Sequence, residues 1–225
     1  DILDSAGATY TKASDGAGGY TITMPENTNY IGQPSRLNGE IKPLLDRKLW
    51  SEPADIVVNQ HNSGKPIFPF VVMSAAESHF MIAEAITKGL ASGNAETFYQ
   101  TGIRHAMELW DVASADIDNY LATEDMAKLN GSTDQNLEKI ATQRWMALFT
   151  NGFEAWAVVR DTGYPTELSS GVNDDDIFVL GDLNGDYPQR MRYGSGPYNT
   201  NAAGVEQANS LQGPDKQGTK LWWAK

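Results

Sequence analysis

Cysteine is absent from the 225 residues, which removes disulfide frameworks, thiolate metal sites and cysteine nucleophiles together. Histidine is nearly as scarce. Only His61, His79 and His105 occur, with no HExxH or HxxxH spacing, so nothing marks a zinc site. Basic residues are outnumbered, 17 Lys and Arg against 29 Asp and Glu, for a formal charge of -12. A field of that sign repels phosphate backbones and anionic lipid surfaces, and a neutral ligand fits it better. Long apolar runs are missing too: stretches such as 67–73 fall far short of the ~18 residues of a membrane span. Asp1-Ile2-Leu3-Asp4 is neither an initiator methionine nor a signal peptide, and we read the chain as mature or as a piece of something longer. A 40% hydrophobic and 10% aromatic content still suffices to bury a core.

Proline is lacking where it matters most. Six of the ten lie between Pro25 and Pro69 and four from Pro165 onward. Because proline removes a helical donor and clashes with the preceding turn, the stretch between can be helical. The flanks hold 15 of the 21 glycines and cannot be continuous helix. The expected organisation is an irregular arm over 1–69, a helical core over 70–164 and an irregular C-terminal arm over 165–225.

Within the core, Ser74-Ala75-Ala76-Glu77 is a capping-box pattern. Ala76, Phe80, Ala83, Thr87 and Leu90 follow at helical steps, and Lys88-Gly89 closes the segment. Asn94 should cap a second helix with Ala95, Phe98, Gly102, Ala106 and Leu109 on its stripe. The short link predicts an antiparallel pair, with Ala83, Gly102 and Ala106 small enough for close approach. A third helix is expected over 114–130, with Ile117, Tyr120, Leu121 and Leu129 inward. A fourth opens at Ser132, buries Leu137, Ala141, Trp145, Leu148, Gly152 and Trp156, bends or breaks at Asn151-Gly152, and closes at Gly163 before Pro165. The fold class expected is mainly α: tetratricopeptide-like antiparallel helix pairs with long, loop-rich arms and a few short strands. The strands are placed near Gly19–Met24 and Ile177–Leu180.

Chemistry-bearing motifs are sparse. Gly194-Ser195-Gly196 lacks the spacing of a nucleophile elbow, and Gly64-Lys65 has no upstream P-loop glycine. Asp182-Leu183-Asn184-Gly185-Asp186 opens like a calcium loop, but its glycine is displaced and Tyr193 stands where the bidentate glutamate belongs. It reads as a solvated acidic turn, as does Asp174-Asp175-Asp176. An acidic glycosidase needs two carboxylates about 5 to 9.5 Å apart. Glu77, Glu84 and Glu154 lie near helix stripes, yet no spacing singles out a pair. Glu154 with Arg144 or Arg160 reads as a structural ion pair. His79 and His105 fall on neighbouring helices and read as helix-surface or packing histidines.

The run from Ala76 through Ala85, with Gly89, Tyr99 and Gly102-Ile103, resembles the helix pair of SusD/RagB-type outer-membrane lipoproteins. Gln143-Arg144-Trp145-Met146-Ala147-Leu148-Phe149 is the stronger match. It continues through Asn151-Gly152, Glu154-Ala155-Trp156, Arg160, Thr162-Gly163-Tyr164-Pro165, Tyr187-Pro188, Arg190, Tyr193 and Leu221-Trp222-Trp223. That order is similar to the SusD-like branch described as starch-binding and associated with the outer membrane. Members are longer and begin with a lipobox cysteine, so the resemblance implies a C-terminal portion whose lipid anchor lies upstream. It further implies a location on the extracellular face of the outer membrane. There such a protein captures an oligosaccharide, or in some members a peptide, and passes it to a SusC-type TonB-dependent transporter, without catalysis or cofactor. A helical scaffold for protein partners and an acid-catalysed carbohydrate enzyme are the alternatives.

The shared motifs are scaffold: Trp145 and Trp156 should be buried, and Arg144, Glu154 and Arg160 should satisfy one another. Sugars present flat C–H faces, so exposed aromatic rings beside amides are the expected platform. Trp50 and Tyr30, flanked by Asn29, Gln33, Asn38, Asn59 and Gln60, are the candidate ligand residues. Anchoring the loops to the helical body is the competing role for both rings. Trp222-Trp223 is expected to pin the C-terminus.

Overall fold

Helix formation in the proline-free stretch starts where the sequence supplies an oxygen for free amides. In the computed structural model, which describes residues 11–14, 16–23, 57, 71–169 and 181–224, Ser74 accepts from the Glu77 amide and opens α1, Ala75–Thr87. Asn94 does the same for α2, Ala95–Leu109. A third helix, α3 (Ser114–Thr123), is followed by a 3-10 turn at Asp125–Ala127. Ser132 and Gln135 form a reciprocal capping box at the start of α4, Thr133–Ala147. Asn151 caps α5, Gly152–Thr162, which ends at Gly163 in the left-handed region (φ 76°). Short α6 (Thr166–Ser169), α7 (Ser195–Thr200) and α8 (Ala202–Gln212) are the remaining α-helices among the described residues.

Contacts divide the chain into two compact units, Asp1–Phe70 and Val71–Lys225. The described part of the first contains an antiparallel hairpin: β1, Thr11–Ser14, pairs with β2, Tyr20–Thr23, from Thr11 opposite Thr23 to Ser14 opposite Tyr20. The strand expected near Gly19–Met24 is β2. The one expected at Ile177–Leu180 lies outside the described residues.

In the second unit α1 packs most extensively on α2 and next on α4, while α4 packs on α5. One core cluster joins Ala76, Phe80, Ala83, Tyr99, Ile103, Ala127 and Ile140, and a second joins Ala141, Leu148 and Val158, with Trp145, Ala155 and Tyr164 against it. Gly102 permits the close approach of α1 and α2. A Cβ there would stand 2.7 Å from Phe80 Cε1, inside the contact distance of packed side chains.

Several expectations need correction. Leu90 lies beyond the end of α1 and is 79% exposed, because Lys88 and Gly89 have already terminated the helix. On α2 the buried positions are Tyr99, Gly102 and Ile103, a face turned slightly from the expected one. The third helix stops at Thr123, and Leu129 sits in extended chain with its amide donating to Glu96 Oε2 at 2.6 Å. The break expected at Asn151-Gly152 is present: α4 ends at Ala147, Thr150 has positive φ (79°) and Asn151 caps α5. Trp145 and Trp156 are half-buried rather than core. The C-terminal arm expected to be irregular contains α8, whose sequence shows no stripe because Val205 is its one buried residue.

The expected Arg144–Glu154–Arg160 group does not form. Glu154 is exposed in the first turn of α5. Arg144 instead donates Nη2 to Glu77 Oε1 at 2.9 Å and lies 3.9 Å from Glu84 Oε2, joining α4 to α1. Glu77 is 7% exposed, so its carboxylate serves this pair rather than a capping box. Arg160 stacks over Trp156 at 4.6 Å and donates to the Gln189 carbonyl, while Trp156 Nε1 donates to the Pro188 carbonyl at 2.9 Å. These bonds lay the chain after residue 186 along α5.

Tyr99 shows how the core and the turn after α3 are tied. Its hydroxyl donates to the Met126 carbonyl, and burial pushes its pKa far above the ordinary tyrosine value. The folded state therefore holds this proton after the unfolded chain has lost it. The contribution is complete below the unfolded tyrosine pKa of about 10 and is lost as pH climbs from there. Tyr99→Phe should cost about 0.5–1.5 kcal/mol at neutral pH and flatten the alkaline limb of stability. Denaturant titrations at pH 7 and pH 11 measure both effects, and an unchanged alkaline slope would contradict the assignment.

Candidate functional site

Along α4, residues three, four and seven positions apart share one face. Gln135, Glu138, Lys139 and Thr142 satisfy that spacing and form one wall of a cavity of about 480 Å³. The opposite side is built by Asp125 and Met126 of the turn after α3, by Asn130 and Gly131, and by Pro165 and Glu167 after α5. The volume lies within the range of about 300–1,000 Å³ usual for small-ligand sites. Three carboxylates and one ammonium give the lining an acidic balance.

Lys139 organises this site. Its Nζ donates toward Asp125 Oδ2 and the Asp125 carbonyl at 2.8 Å each, Asn130 Oδ1 at 2.9 Å and the Lys128 carbonyl at 3.0 Å. Asn130 in turn donates to Asp125 Oδ1 at 2.8 Å. The bond from Lys139, followed by that from Asn130, holds the Asp125 carboxyl below its usual range. Gln135 is oriented by its Oε1, which accepts from the Ser132 amide at 2.9 Å. Asp125, Asn130, Lys139 and Gln135 are therefore ordered by the protein's own bonds.

A second polar group lies beyond α5. Asp215 accepts from Arg190 Nη2 at 3.0 Å, from the Tyr193 amide at 3.1 Å and from the Tyr198 hydroxyl at 2.8 Å. Arg190 also lies 4.9 Å over the Tyr193 ring. With both charges enclosed and paired, this cluster clamps the 190–215 segment. The hydrogen bond to Asp215, followed by partial desolvation and the Asp215 charge, raises the Tyr198 pKa.

Trp50 and Tyr30, the ligand residues expected from sequence, lie outside the described residues, as do His61, the 174–176 acidic run and the amides flanking those two aromatics. Trp222 and Trp223 do not pin the C-terminus: they sit in a 3-10 turn, edge to face at 5.3 Å, and are 74% and 59% exposed. His79 and His105 stack at 5.3 Å, with the Phe98 ring 5.8 Å from His79, and His105 is 38% exposed beside Glu108. Asp182–Asp186 is a tight turn with positive φ at Asn184 and Gly185. Among the described residues no group of three His, Asp or Glu could hold a metal ion, and no helix is long and apolar enough to cross a membrane. The cavity was missed in sequence because its three walls are distant along the chain. The polar spacing on α4 was its one local sign.

Comparison with known proteins agrees with the architecture. The SusD-like family model described as "Starch-binding associating with outer membrane" matches residues 22–193. Solved structures similar to this chain include a SusD-like protein of Bacteroidetes, at 29% identity and TM-score 0.64 over 73% of this chain and 32% of that one. A chitin-binding protein aligns at 28% identity and TM-score 0.60 over 70% of this chain and 34% of the other. A SusD homologue from Bacteroides fragilis aligns at 26% identity and TM-score 0.58 over 67% and 34%. No curated protein matches. The chain spans about a third of the length of these structures. With the family model covering most of its residues and the helical fold shared, the chain belongs to the SusD-like family.

Proposed function

We propose that this protein binds an oligosaccharide without cleaving it, on the extracellular face of the outer membrane, and hands it to a SusC-type TonB-dependent transporter. The observation that carries this reading is the family match over residues 22–193 joined to the shared helical architecture. The resemblance of the fold to a chitin-binding protein and the polar cavity beside α4 support a glycan as the ligand. A peptide is the ligand in the second version of this reading. No cofactor enters it, and an acidic carbohydrate enzyme is the rival.

Trp50 and Tyr30 are proposed as stacking residues. Incubation with a glycan panel tests the function: intact oligosaccharide should be retained, whereas cleaved products would support the enzyme and indifference to all sugars and peptides would support a helical scaffold. Trp50→Ala should weaken glycan binding by about 1–3 kcal/mol by analogy with aromatic hot spots. Unchanged affinity in a folded variant, measured by calorimetry, would remove Trp50 from the ligand set.

A further inference from the structure

The cavity beside α4 has an unequal supply of unused hydrogen-bonding groups, and that supply selects a ligand class. Among the described residues of the lining Lys139 is the one cation, and four oxygens already share its three protons. Among the described residues a carboxylate, sulfate or phosphate entering here would find no free cation, and it would face the Glu138 carboxylate, for which no ion pair is formed among them. Like charges at that range are repulsive. An anionic ligand is therefore disfavoured by the lining itself.

Three groups on the α4 wall are unspent among the described residues: Gln135 Nε2, the Glu138 carboxylate and the Thr142 hydroxyl. They alternate donor, acceptor and donor–acceptor along one helix face. A bare cation would use the acceptor and leave the amide unmet. A vicinal pair of hydroxyls, each both donor and acceptor, satisfies both kinds. Met126 and Pro165 supply apolar surface in the same cavity, against which C–H groups of a ring can rest.

We propose that this cavity seats a neutral sugar unit, its hydroxyls donating to Glu138 and accepting from Gln135, and that it rejects acidic glycans. The assignment rests on the glycan-binding reading above and adds to it a site and a selectivity. Glu138 and Thr142 make no protein hydrogen bond among the described side chains, so replacing them leaves the fold's own bonds intact.

The test uses the chain with 13C-labelled methionine methyls, titrated with maltohexaose, chitohexaose, hexagalacturonate and a lysine-rich peptide. At least one neutral oligosaccharide should shift the Met126 methyl, and hexagalacturonate should not. The double variant Glu138→Ala/Thr142→Val should bind that neutral sugar about tenfold or more weakly, with an unchanged circular dichroism spectrum. Neutral glycan bound with the Met126 methyl unmoved, or with equal affinity in the folded double variant, overturns the cavity assignment and leaves the glycan reading standing. Equal binding of hexagalacturonate overturns the selectivity, and a Met126 response to the peptide alone overturns the ligand class. Failure of the wild-type chain to bind any sugar overturns both readings.

Discussion

Replacing Arg144 with methionine is expected to lower stability by about 3–5 kcal/mol, because it strands the buried Glu77 carboxylate without its partner. The pair spans 67 residues of sequence and joins α1 to α4 through the 2.9 Å bond. Both side chains are largely enclosed, at 17% and 10% exposure, so solvent screens the interaction only weakly. Glu84, 3.9 Å from Nη1, keeps Lys88 as its partner, so the loss falls on Glu77. The double variant Glu77→Leu/Arg144→Met should lose much less than the single one, since no buried charge is left alone. Urea unfolding of the four members of this cycle measures the coupling. A single-variant cost below about 1 kcal/mol, the range of exposed ion pairs, would show that the pair does not hold the helices together.

Asp215→Ala should have an effect of similar size, about 3–5 kcal/mol, for a related reason at the other end of the unit. Asp215 and Arg190 side chains are 3% and 5% exposed. Truncation leaves an enclosed guanidinium, the Tyr193 amide and the Tyr198 hydroxyl without their shared acceptor. Arg190 Nη1 has no hydrogen-bond partner among the described residues, so the guanidinium has little reserve. Ultraviolet titration gives an independent readout. With the Asp215 carboxylate gone, Tyr198 should titrate nearer the ordinary tyrosine value, and proteolysis within 190–215 should quicken. Asp215→Asn, which retains an acceptor but no charge, should fall between the two. A Tyr198 titration unmoved by Asp215→Ala would count against the clamp.

Helix starts were legible because their determinants are local. Ser74, Asn94 and Ser132 each place an oxygen within reach of an amide three residues on, and the structure uses all three. Gly163 stops α5 for the same kind of reason, by occupying a conformation that disfavours a Cβ. The α8 helix was not legible, since an 11-residue segment with one buried residue leaves no periodic trace. Its cap is visible only afterwards, with Asn201 Oδ1 accepting from the Gly204 amide at 3.2 Å. Glu77 shows where a correct local pattern met a stronger distant partner: the capping-box glutamate was diverted to Arg144.

The sequence by itself determined the helical centre, its main helix starts and the resemblance to the SusD-like family, since caps, proline placement and motif order act within a few residues of chain. Tertiary structure alone decided that Arg144 faces Glu77, that Trp222 and Trp223 stay in solvent, and that segments 125–131, 135–142 and 165–167 enclose one cavity. Those outcomes depend on which side of each helix meets its neighbour. A rotation of one residue, about 100° in a helix of 3.6 residues per turn, exchanges a buried partner for an exposed one.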